Sequence, residues 1–278
     1  MGAIAHKIDN RLGFDGEELE RFDKLMNSIY SGAYRLSPSS IRRFLLSPRH
    51  FVISRVVKED VSDSAKLGIL VEDMVLNEGV SKLVLMDFEE RPEKDKTMAS
   101  NANKAWARAF IEKSGGVDNV VSETVFNKAK KMADAVKADD EAMAIIESAT
   151  VIQRKIEWSM SGLQILGYID IDTPNLIVDF KTCPDAHVSK FKWKLTDKDS
   201  MYGVQLRSYQ IGDGTNKPCA IIAVDSDCNT SVFELSQRSL ELADIEIEKA
   251  IDGFLRCMEE NRWHESYSFW SPKKRFQI

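Results

Sequence analysis

The residues best suited to chemistry fall in one short stretch, Gly167-Tyr-Ile-Asp170 followed by Leu176-Ile-Val-Asp179-Phe-Lys181. Both segments are rich in Ile, Val and aromatic residues, and Thr173-Pro174-Asn175 separates them, so they read as two strands of a hairpin. Asp179 and Lys181 are two apart and share one side of their strand, and Asp170 can meet them across the pair. Two acids and a lysine at a sheet edge make a hard oxygen site for Mg²⁺ or Mn²⁺. A lysine beside such a cation can orient or deprotonate a water, or neutralise charge in a transition state. Acid-x-lysine on a strand also occurs as a plain solvated pair, so its surroundings must decide.

The elements around it follow from periodicity. Residues 152–158 alternate, and with 164–171 and 176–180 they predict a three-stranded antiparallel meander. Upstream, residues 1–35 predict a polar tail and a short amphipathic helix. Ser37-Pro38 opens a second helix that Ser47-Pro48 stops, and residues 67–76 read as a mostly buried helix. Residues 87–100 read as a loop, followed by helices near 101–113, 122–138 and 140–149. Downstream come a helix over 200–212, strands over 220–225 and 231–235, and a long amphipathic helix over 240–261. This order predicts an α/β (α+β) fold, a mixed sheet flanked by helices. The expected division is 1–35, a single domain over 36–265, and a basic tail over 266–278.

Length and composition bound the function. With 278 residues, 43% hydrophobic and 29% charged, the chain is no disordered, collagenous or disulfide-built protein. A net charge of −6 excludes binding nucleic acid by bulk charge, so any such binding needs a local basic strip. Lys190, Lys192, Lys194 and Lys198, interleaved with Phe191 and Trp193, form one; lysines with aromatics suit a phosphate backbone and stacked bases. Arg42 and Arg43, with Ser37, Ser39 and Ser40 at a helix start, could hold a terminal phosphate. No C-x-x-C or H-E-x-x-H occurs, which counts against a zinc site. Met1 to Arg11 lacks the apolar core of a signal peptide, and no stretch approaches the roughly 20 apolar residues that span a bilayer. These features, with scattered cysteines, predict a soluble cytoplasmic protein.

The pattern of Asp170, then Asp179-Phe-Lys181 on the next strand, resembles the PD-(D/E)xK nuclease superfamily. Gln205-Leu-Arg-Ser-Tyr209 resembles the Q-x-x-x-Y helix of its RecB-like branch. Gly68-Ile-Leu-Val-Glu72-Asp73 stands where that branch has G-x-x-x-H-(E/D). The opening LSPSSIRRFLLSPRHF and the helix VFNKAKKMADAVKADDEAMAII are similar to phage-type exonucleases such as RecE (exonuclease VIII) and, more distantly, lambda exonuclease.

The resemblance implies a metal-dependent DNA exonuclease. Glu72 replaces the usual histidine, with Asp73 as the reserve ligand. Glu72, Asp170, Asp179 and the main-chain carbonyl near Phe180 would bind Mg²⁺, with Mn²⁺ as the alternative metal. Lys181 would act on water, and Gln205 and Tyr209 would lie beside the site. It further implies 5′-to-3′ action on double-stranded ends, a role in recombination or end resection, a single-strand annealing protein as partner, and a ring of three or four subunits. Some relatives hold an iron–sulfur cluster on cysteines flanking the core; here Cys183, Cys219, Cys228 and Cys257 all lie on one side of it, so none is expected. The competing readings are a single-strand or structure-specific nuclease and a non-catalytic DNA-binding protein on the same scaffold.

Overall fold

The computed structural model describes residues 12–197 and 200–271. Lys198 and the basic run after Ser271 lie outside the described residues.

In chain order the elements are α1 (Gly16–Tyr30), β1 (Arg35–Leu36), α2 (Pro38–Leu46), α3 (Pro48–Val56), α4 (Asp63–Leu76), β2 (Val84–Met86), α5 (Asn101–Lys113), β3 (Val120–Ser122), α6 (Glu123–Lys137) and α7 (Asp140–Glu147). The second half adds β4 (Val151–Met160), β5 (Leu163–Asp172), β6 (Ile177–Cys183), α8 (Val188–Phe191), α9 (Tyr202–Asp213), β7 (Cys219–Asp225), β8 (Thr230–Glu234) and α10 (Gln237–Glu260). Serine side chains start helix after helix: Ser37, Ser47, Ser62, Ser100, Ser122 and Ser236 each accept a main-chain N–H of the following turn. Ser47-Pro48 does more than stop α2. Pro48 occupies the first turn of α3, where its missing N–H costs nothing.

The main sheet is mixed. β4 and β5 form a long antiparallel hairpin, and β5 pairs antiparallel with β6. β6 runs parallel to β7, and β7 antiparallel to β8. β1 adds a short parallel pairing at Arg35↔Gln164 and Leu36↔Ile165. β4 occupies one edge of β5, so β1 and β6 share the other, β1 near its start and β6 near its end. β2 and β3 make a separate parallel pair.

Side-chain alternation sends the strands into two cores. Val178, Phe180, Ala220, Ile222 and Val224 pack with Leu70 and Val71 of α4 and with Ala129, Met132, Ala133 and Val136 of α6. Ile177, Ile221 and Ala223 point the other way, onto Leu206 and Tyr209 of α9. A third core joins α1, α2 and α3 to α10 through Phe22, Phe44, Phe51, Phe254 and Trp263. Among the described residues no helix is long and apolar enough to cross a membrane.

Candidate active site

β5 and β6 share only two residue pairs, Ile171↔Val178 and Asp172↔Ile177. One step further, where Asp170 and Asp179 would face each other, the ladder stops and the strands part. Asp170 fills the gap: its Oδ2 accepts the main-chain N–H of Phe180 at 2.9 Å. Alternation along β5 also breaks here. Ile169 packs under α9 whereas Ile171 packs under α4 and α6, although two residues apart they should share a face. Across the hairpin, Gln153 adopts φ +54°, a left-handed conformation that costs a non-glycine residue about 1–2 kcal/mol. Such strain collects at functional sites.

The slot receives side chains from both faces. From one face comes Glu72. Its helix lies close on β6 because Gly68, one turn earlier, has no Cβ; an added one would meet Thr182 Oγ1 at 3.1 Å. From the other face come Gln205 and Tyr209 of α9. Tyr209 lies over Gly167 of β5, where an added Cβ would sit 2.9 Å from its ring. β6 supplies Asp179, wholly buried, and Lys181.

These groups form one polar network. Lys181 Nζ lies 2.6 Å from Asp179 Oδ2 and 4.0 Å from Asp170 Oδ2, and donates to the Phe180 carbonyl at 3.2 Å. Gln205 Nε2 donates to Asp179 Oδ1 at 2.8 Å and contacts Tyr209 Oη at 3.0 Å. Arg42 Nη1 donates to Gln205 Oε1 at 2.8 Å. The Gln153 amide donates to both Glu72 and Asp170. Asp73, the reserve ligand, instead accepts from Asn77 on its own helix.

Burial first, and then repulsion from Asp179, push the Asp170 carboxyl up to about 8, with Lys181 opposing. Burial likewise raises Glu72, again opposed by Lys181. For Lys181 burial works against the charge, but Asp179 and Asp170 outweigh it and its pKa is raised. Burial raises the Tyr209 phenol and lowers Arg42. The cluster therefore carries three acids against one ammonium in contact.

That imbalance gives a measurable pH dependence. Asp170 ionises near 3.8 when unfolded and near 8 when folded, so between those values the folded chain holds a proton that the unfolded chain has lost. The stabilisation is full below about 3.8 and falls away as pH rises through about 8. Metal-free Asp170→Asn should lack this decline and should melt above the wild type at pH 8 and beyond. Parallel melting curves for the two proteins from about pH 5 to 9 would contradict the assignment.

Glu72, Asp170, Asp179 and the Phe180 carbonyl are an all-oxygen donor set with unbalanced negative charge, which fits a hard divalent cation. They are not closed around one: among the described residues no three of His, Cys, Asp and Glu stand close enough to chelate a metal. Gln153 lies between Glu72 and Asp170, and Lys181 between Asp170 and Asp179.

The structure brings Arg42 to the site but not its neighbours. Ser37 caps α2 and hydrogen-bonds Ser39 and Ser40. Ser40 is only 1% exposed and is held by Arg55, so neither serine offers a free hydroxyl to a phosphate. Arg43 is exposed, and no hydrogen bond links it to the cluster. In the basic strip, Lys190 and Lys192 are exposed and Lys194 half-buried. Phe191 is not a base platform: it is 1% exposed and stacks on Phe233 at 4.4 Å. Trp193 is 65% exposed, with Lys192 Nζ 5.3 Å from its ring centroid, and offers a ring at the surface. Two site residues escaped the sequence reading, Gln153 and Tyr202. The Tyr202 ring lies 5.7 Å from both Lys181 Nζ and the Arg42 guanidinium. Gln153 has no spacing signal; Tyr202 is one helical turn before Gln205, the only hint it offers.

Residues 87–267 match a family described as a PDDEXK-like domain of unknown function (DUF3799). The match contains Asp170, Asp179, Lys181, Gln205 and Tyr209 and begins after Glu72. A crystal structure from Eubacterium rectale, of a protein described as a candidate exonuclease, superposes with a TM-score of 0.57 at 15% identity, covering 89% of this chain and 87% of that one. The structure of SSO0001 covers 64% of this chain and 84% of its own at 11% identity, with a TM-score of 0.28 too low to carry an argument. No curated protein matches the sequence.

Proposed function

From a chain that belongs to the DUF3799 family of PDDEXK-like domains, we infer a nuclease, and we propose specifically a divalent-metal-dependent deoxyribonuclease of the RecE-like exonuclease kind. The observation that carries the reading is the convergence of Glu72, Asp170, Asp179 and Lys181 at the point where β5 and β6 part.

Mg²⁺, or Mn²⁺, held by Glu72, Asp170, Asp179 and the Phe180 carbonyl would supply Lewis acidity to a phosphodiester. The chain's own groups do the rest. Lys181 keeps its proton because Asp179, and after it Asp170, favour its charged form, so it orients a water and neutralises a phosphoryl oxygen rather than acting as a base. Gln205 ties Asp179 to Arg42, fixing the acid and the guanidinium in one frame. Arg42 Nε is buried and without a hydrogen-bond partner among the described residues, so the guanidinium is held at the site by its Nη1 bond to Gln205. Tyr209 packs against Gly167 and braces Gln205. Exposed Lys190 and Lys192 give an acidic protein a local hold on the DNA backbone.

Action 5′ to 3′ on duplex ends, a role in recombination beside a single-strand annealing partner, a cytoplasmic location and a ring of three or four 31.5 kDa subunits belong to this reading through the sequence resemblance. One observation favours the single-strand alternative: Trp193, exposed between Lys192 and Lys194, suits stacking on an unpaired base. A time course on duplexes labelled at the 5′ or the 3′ end, and on single strands, with Mg²⁺ and with EDTA, tests both. Metal-dependent release from one duplex end is the expected result. Cleavage of single strands alone would favour the alternative, and no metal-dependent cleavage would leave a DNA-binding scaffold.

A further inference from the structure

We propose that Gln153 is the positioning residue of the site, linking Glu72 to Asp170 so that both acids are directed to one divalent cation; the proposal rests on the metal-dependent reading above. One amide nitrogen donates to Glu72 Oε1 and to Asp170 Oδ1, so a single side chain spans an acid from α4 and an acid from β5. The other Asp170 oxygen is taken by the Phe180 N–H, which leaves Gln153 as the group that fixes that carboxylate relative to Glu72. The chemistry of the residue matters. A lysine at this place would bring a full charge and compete with the metal. An amide brings two donor hydrogens and no charge, so it holds the two acid side chains without adding a positive charge that would compete with a cation.

The backbone supports the assignment. Gln153 stands opposite Asp170 in the β4–β5 register, between the paired positions Ile152↔Ile171 and Arg154↔Ile169, yet its φ of +54° leaves the extended range. A glutamine gains nothing locally from that conformation, and a glycine would adopt it without steric cost. The conformation is retained where the amide meets the two acids.

The test is the thermal melting of the full chain titrated with MgCl₂ and no DNA, for wild type, Gln153→Gly and Gln153→Asn. Glycine removes the amide and relieves the backbone; asparagine keeps the amide but is one methylene too short to span both acids. Wild type should show a melting temperature that climbs with Mg²⁺. Both variants should need roughly 10-fold more Mg²⁺, or beyond, to reach half of that climb, the scale expected for a residue that orients metal ligands. A merely structural glutamine would lower the melting temperature at every Mg²⁺ concentration and leave the Mg²⁺ midpoint where it was, which would overturn the proposal. If the wild type itself gave no Mg²⁺- or Mn²⁺-dependent climb, the metal-dependent reading would fall first and this proposal with it.

Discussion

Asp179→Asn should yield a folded protein with no measurable metal-dependent cleavage, a loss on the order of 10³-fold or more. Asp179 is the most deeply placed acid of the cluster, with no exposed surface, and each of its oxygens is committed, one to Gln205 and one to Lys181. Asparagine keeps the volume and an acceptor for Gln205 but removes the charge that holds the ammonium. Removing one partner of a buried ion pair costs about 3–5 kcal/mol. Two features reduce that cost here. Lys181 keeps Asp170 at 4.0 Å, and Asp170 loses the carboxylate that repels it. A lowered melting temperature with a cooperative transition is therefore expected, and cleavage falls far more than stability. Turnover near the wild-type value, measured on an end-labelled duplex in Mg²⁺, would remove Asp179 from the site.

Lys181→Met separates charge from packing. Methionine fills much of the space of the lysine stem but carries no proton. Turnover should drop about 10²–10³-fold, the cost of losing one donor aimed at developing negative charge. Binding of DNA should change little, because Arg42, Lys190 and Lys192 remain to meet the backbone. The variant also carries a second signature. Lys181 is the group that holds the Asp170 and Glu72 carboxyls down, so both should climb without it. The acid-side stabilisation from neutral Asp170 should then persist to higher pH than in the wild type. Weaker DNA binding with unchanged turnover would instead make Lys181 a phosphate anchor.

What could be read from the chain divides along physical lines. The β4–β5–β6 meander was legible because alternation and turn residues are local signals, and Asp170, Asp179 and Lys181 came with it because neighbouring strands fix their spacing. Gln205 and Tyr209 share a helix face as an i, i+4 pair, but only the resemblance to the Q-x-x-x-Y motif singles them out. α3 has no separate start signal in the sequence, because Ser47-Pro48 both stops α2 and begins the next helix. β1 has two residues and takes its meaning from a partner far along the chain. Phe191 among lysines has the composition of a stacking platform, but its contact with Phe233 on β8 decides otherwise, and no local pattern encodes that. Ser40 has the composition of a phosphate site and the burial of a core residue. Gln153 is one glutamine in an alternating strand; only the contact between sheet and helix gives it a partner.

The parting of β5 from β6 after two residue pairs sets how damage spreads through this molecule. Glu72 answers to the core beneath α4 and α6, whereas Gln205 and Tyr209 answer to the core beneath α9, and the sheet keeps those cores apart. Core substitutions on opposite faces, such as Met132→Ala and Leu206→Ala, share no contact and should add in their effects on stability. Their effects on cleavage should not add, because both arms of the site must arrive in the same slot. Independence in folding with interdependence in activity is thus built into a pair of strands that separate two residues after they meet.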